Sequence, residues 1–258
     1  MLTEYEGSFR ERLHSYGASK LFLTGIIMFS GGSLLNIMLS FGFFSVFSLL
    51  ILAVPLTGFW LIYAASKSPA IPEKTLPALI LFKVIIIMNM VIWSLFVLLI
   101  LIIGFSSFSL TANYISFDGA DPSAFGFLAL FTAGIMLTII IIYFKALLKV
   151  IGSIKYGIIN NSLKVLSSVN VFSILAYISI ALSSLINLIV AFSFNEILDV
   201  LVFEFPEFME FLIEAVPTQS DLLISVFLTL AADLGLVLCI VCLGKLNKSL
   251  LNAGEKNP

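Results

Sequence analysis

Charge is what this chain has least of. Asp, Glu, Lys and Arg make up 11% of its 258 residues, where soluble domains carry about 25%. Hydrophobic residues make up 60%, too much apolar surface for so few polar groups to cover in water. Histidine is nearly missing too. His14 is the single one and lies near the N-terminus, so no membrane-embedded Ser-His dyad and no His-Glu-x-x-His zinc helix can be assembled. The two cysteines, Cys239 and Cys242, share one apolar run; they supply no disulfide framework and say nothing of redox compartment. Without polarising neighbours they read as small hydrophobic residues.

Other motifs are absent as well. The chain has no Walker loop and no Gly-rich dinucleotide fingerprint, and its short loops leave no room for a nucleotide-binding domain. An intramembrane aspartyl dyad needs two buried carboxylates, and one is found. The net charge is −2 and no basic block carries interleaved aromatics, which argues against nucleic acid. The expectation is a protein that is not an enzyme and carries no metal and no cofactor.

What the chain does have is long uncharged apolar runs. About 20 helical residues cross a hydrocarbon layer of ~30 Å, and runs of that size fall at 21–41, 45–66, 77–104, 124–146, 166–193 and 222–244. A β-barrel would show alternating segments of about ten residues instead. The expected fold class is therefore all-α, a polytopic membrane protein of six transmembrane helices in a single membrane domain spanning 1–258. No charge interrupts Leu21 to Ser66, and Ser40-Phe41-Gly42-Phe43 marks a tight turn between the first two spans.

The basic residues then sort to one side. Arg10, Arg12 and Lys20 precede the first span, and Lys67, Lys74 and Lys83 surround the second loop. Lys145, Lys149, Lys155 and Lys164 occupy the fourth loop, and Lys245, Lys248 and Lys256 the tail. The first, third and fifth loops carry none. By the positive-inside rule both termini are expected in the cytoplasm of a multi-pass cell-membrane protein. Segment 1–19 carries Glu4, Glu6 and Glu11 and no apolar core, so it does not read as a signal peptide. Its stripe of Tyr5, Phe9, Leu13 and Tyr16 is expected to lie along the cytoplasmic interface. The stretch Lys145–Lys164 would sit beside anionic lipid heads, each Lys gaining roughly 1 kcal/mol.

Acidic residues show the opposite bias. Asp118 and Asp121 lie in the third loop, and Glu196, Asp199, Glu204, Glu207, Glu210, Glu214 and Asp221 in or beside the fifth. They form either a solvated anionic surface or an outer vestibule that concentrates cations. Segment 195–220 is expected to be extracytoplasmic and amphipathic. Its helix would start at Pro206, with Glu207, Glu210 and Glu214 on one face and Phe208, Phe211, Leu212 and Ala215 on the other. A weak internal resemblance links Phe82-Lys83-Val84, ahead of Asn89, to Leu163-Lys164-Val165, ahead of Asn170, and suggests duplicated hairpins.

Polar residues inside the spans point to a site. Asp233 lies 12 positions after Asp221 and 12 before Lys245, at the centre of the last span. An aspartate there costs about 2.5–3.5 kcal/mol and normally faces a bundle interior; the low dielectric disfavours its charged form. Ser225 and Thr229 precede it at four-residue steps on the same helix face. In the fifth span Asn170, Ser173, Tyr177, Ala181, Ser184 and Asn187 form a small-and-polar stripe suited to close helix contact. Asn89 is placed near the depth of Asp233, while Lys83 is expected to snorkel to the interface. Ser30-Gly31-Gly32-Ser33 permits tight packing or a local break, and Pro55 a kink.

The candidate midplane site is Asp233, Thr229, Tyr177, Ser184 and Asn89, taking a proton, a cation or a small solute. Two functions fit these residues. One is a small transporter or transporter membrane subunit; the other is a non-catalytic assembly protein whose polar stripe only packs helices.

Overall fold

The computed structural model describes residues 8–39, 43–67, 72–111, 122–204 and 218–256. Every regular element among them is helical: α1 Phe9–Gly17, α2 Lys20–Leu39, α3 Phe43–Ser66, a 3-10 turn Pro72–Thr75, α4 Leu76–Thr111, α5 Pro122–Asn160, α6 Val169–Phe192, α7 Phe194–Glu204 and α8 Gln219–Lys256. Five of them, α2, α4, α5, α6 and α8, are long and apolar enough to cross a membrane. The protein is an all-helical integral membrane protein, since in lipid an isolated segment satisfies its backbone polar groups only as a helix. α3 has 24 residues and contributes the shorter apolar stretch Leu52–Ser66.

Three helices far outrun a bilayer, α4 with its 36 residues among them. α5 has 39 residues and α8 has 38, each roughly 55–60 Å long at 1.5 Å per residue. The fourth loop expected at 147–164 is thus mostly helix, and only 161–168 leaves helical conformation. Lys145, Lys149 and Lys155 lie exposed on the extended part of α5, as do Lys245 and Lys248 on α8. Helix α7 also forms ahead of Pro206, where the sequence reading placed no helix. The two segments of the internal resemblance differ locally: Lys83 lies inside α4, whereas Lys164 lies in the non-helical 161–168 segment. The turn residues Ser40–Gly42, Tyr5, Asp118, Asp121 and the helix expected from Pro206 lie outside the described residues.

Neighbouring helices pack in cyclic order: α2 on α3, α3 on α4, α4 on α5, α5 on α6, α6 on α8 and α8 back on α2. Burial is concentrated at the lysine-bearing end. There Leu79, Val150, Ile158, Leu166, Phe172 and Leu250 form one core. Towards the other end, α4 and α5 expose Trp93, Phe96, Leu99, Phe127 and Phe131, surface suited to lipid.

The closest helix contact joins α2 and α8. A Cβ on Gly32 would lie 2.5 Å from the Leu228 carbonyl oxygen, and one on Gly25 2.8 Å from that of Gly235. Missing side chains let the two backbones meet, as small residues do between membrane helices. A Cβ on Gly31 would meet nothing within 4 Å, and α2 continues through the glycine pair without a break.

Helix α1 departs from expectation. Ser8 caps it in a capping box with Glu11, but its apolar stripe faces protein rather than the interface. Phe9 is wholly buried and Leu13 nearly so, in the core formed by the lysine-side ends of α5, α6 and α8. Their burial contributes about 1.5–3 kcal/mol each. A Cβ on Gly157 would collide with the Phe9 ring, so the glycine makes the seat. The Arg10 Nε donates to the Ile158 carbonyl at 3.2 Å, and the Arg10 backbone N–H to Asn161 Oδ1 at 3.3 Å. Arg12 donates to the Ser249 carbonyl. Ile158 lies in the last turn of α5, whose carbonyls have no partner within the helix. Burial pushes the Tyr16 phenol well above its ordinary range, with Cys239 and Cys242 adding to the shift, so Tyr16 stays neutral.

Candidate functional site

The site is built on α8. Ser225, Thr229 and Asp233 follow at one-turn steps on one face, and Ile224, exposed, lies half a turn round from Asp233. Two neighbouring helices meet this line. From α6, the Ser184 hydroxyl donates to Asp233 Oδ2 at 2.9 Å. From α2, the Asn36 side-chain amide donates to Thr229 Oγ1 at 3.2 Å and accepts from the Ser225 hydroxyl at 2.6 Å. The Thr229 hydroxyl donates to the Ser225 carbonyl at 2.9 Å. The result is a polar line joining three helices.

Of the five residues singled out from sequence, the structure joins two directly, Ser184 and Asp233. Thr229 stands one turn from Asp233 and bonds to Asn36. Tyr177 sits two turns from Ser184 on α6 and packs against the apolar core of the lysine-bearing end. Asn89 is not brought to the line. Its amide donates to the Ile85 carbonyl of its own helix at 3.1 Å, and α4 packs on α3 and α5. Sequence reasoning missed Asn36. A signal was available: Gly25, Gly32 and Asn36 recur at seven and four residues, so the asparagine shares the glycine face that meets α8.

No protein-family model, no curated protein and no solved structure matches this chain.

Its own side chains define what the site can hold. Asp233 is half-buried and, among the described residues, no basic side chain pairs with it; the ion pair found there is Arg10–Glu73. A carboxylate offers about four acceptor positions, and Ser184 occupies one. Among the described residues no group of three or more His, Cys, Asp and Glu side chains converges. The donors on offer are hydroxyl, amide and one carboxyl oxygen. Such oxygens suit a proton or a hard cation rather than a thiophilic metal.

Two other features lie away from this line. A groove of about 440 Å³ on α5, lined by Leu130, Phe131, Gly134, Ile135, Thr138 and Ile139, is apolar and lipid-like in character. Cys239 and Cys242 are buried with Phe22 and Ile26, and the Cys242 sulfur lies 3.6 Å from the Ser19 hydroxyl.

Proposed function

We propose that this chain is a small transporter, or the membrane subunit of one, in which Asp233 carries a proton or a cation. The observation behind this is a carboxyl at the middle of an apolar helix, held by one serine hydroxyl with no cation beside it among the described residues. Helix packing alone would be met by neutral groups, as Asn36 does between α2 and α8. An aspartate costs about 2.5–3.5 kcal/mol at that depth, which a purely structural contact does not need.

In this reading the protein crosses the cell membrane six times, α3 being the sixth span, and both termini lie in the cytoplasm. The exposed lysines of α5 and α8 rest among anionic lipid heads. The acidic residues at the opposite end draw cations towards the polar line, and Thr229, Asn36 and Ser225 extend that line beyond Asp233. A second reading, a non-catalytic assembly protein, is supported by the direct Ser184–Asp233 bond and the glycine contacts of α2 and α8.

Labelling with a hydrophobic carbodiimide in native membranes separates the two. The transport reading expects modification at Asp233 that sodium or potassium ions or rising pH slow, with none in Asp233→Asn. No modification, or modification indifferent to cations and pH, favours the assembly reading.

A further inference from the structure

We propose that α1 is a removable plug, the inner gate of the bundle. It touches α2, α3, α5, α8 and the 3-10 turn, and so ties together helix ends that the cyclic order keeps apart. Its two ends sit on glycine contacts. Phe9 fills the notch left by Gly157 on α5, and Gly17 lies against Ser66 of α3, where a Cβ would come within 2.8 Å of the serine oxygen. Ala18 and Ser19 alone separate α1 from α2, so the plug swings on a two-residue link.

The attachment is reversible in character. The clasp at the rim is Arg10–Glu73, 3.6 Å apart with side chains 34% and 62% exposed, a contact that solvent and salt weaken readily. Docking also leaves the His14 Nδ1 buried without a hydrogen-bond partner among the described residues, a penalty that release removes. A helix of nine residues does not persist alone in water, so undocking and unwinding are one event. Its Tyr16 packs on the cluster that holds Cys242, whose sulfur contacts Ser19 of the link. Departure of α1 uncovers that thiol first, while Cys239 stays one turn further in against Gly25.

The gate rests on the transport reading for its purpose, but its test follows a thiol and needs no solute movement. A small water-soluble methanethiosulfonate is applied to inside-out vesicles holding the full-length protein, and modification of each cysteine is timed by mass. Wild type is expected to react slowly at Cys242 and not at Cys239. Arg10→Glu, which loses the clasp and the guanidinium bond to the Ile158 carbonyl, is expected to react about tenfold faster at Cys242. Gly157→Leu, which fills the Phe9 seat without changing charge, is expected to do the same. The charge swap Arg10→Glu/Glu73→Arg should recover part of the difference, because the clasp returns while the bond to the Ile158 carbonyl does not. Cys242 rates in Arg10→Glu and Gly157→Leu equal to wild type would overturn the proposal. So would Cys239 reacting as fast as Cys242, since that reports general loosening rather than a moving plug.

Discussion

Gly235 leaves no room for a side chain where α8 crosses α2: an added Cβ would lie 2.5 Å from the Gly25 carbonyl oxygen and closer still to the Phe29 backbone. Gly31, one position from a packed glycine, faces open space. Gly235→Leu should therefore destabilise the protein by about 1–3 kcal/mol through overpacking. Gly31→Leu should leave the unfolding temperature in detergent nearly unchanged; equal losses at both positions would contradict the close crossing. The position of Asp233 within the last long helix was legible, because a lone acid in an apolar run is conspicuous; its bond to Ser184 was not. Asn89 was misjudged for a physical reason. Spacing along a helix gives depth, but which neighbour a face meets depends on the order of helices, and α4 meets α3 and α5.

At the scale of elements, apolar runs located five helices long and apolar enough to cross a membrane, and did not locate the helix ends. Lysines report where a chain leaves lipid, not where its helix stops. Lys145 to Lys149 is made of good helix formers and no proline interrupts 145–160, so α5 runs on to Asn160. For α1 the stripe of Phe9 and Leu13 was visible, yet an amphipathic stripe looks the same whether it meets lipid or protein. The extension of α5 is open to test by single cysteines across 147–160 in a background lacking Cys239 and Cys242. Reactivity should follow a helical period, with Val150 and Ile158, both buried, protected, and should come only from the cytoplasmic side. Uniform reactivity, or labelling by an impermeant reagent in intact cells, would refute helix or topology respectively.

For the whole molecule, all 13 Lys and Arg gather at one end, and that is also the end where α1 and the extended helices build the buried core. The opposite end carries acidic groups and exposes the apolar flanks of α4 and α5. The cyclic order of helices was beyond the sequence. The first and last long helices, α2 and α8, make the tightest pair, and glycines at 25, 32 and 235 announce close contact without naming the partner. Under the proposed function, cations enter from the acidic side along the polar line from Ser225 to Asp233, and Asp233 carries the moving charge. The most direct measurement is proton and sodium flux into proteoliposomes under an imposed inside-negative potential, comparing wild type with Asp233→Asn at equal reconstitution. Flux in wild type that vanishes in Asp233→Asn is the predicted result; indistinguishable traces from the two proteins would contradict it.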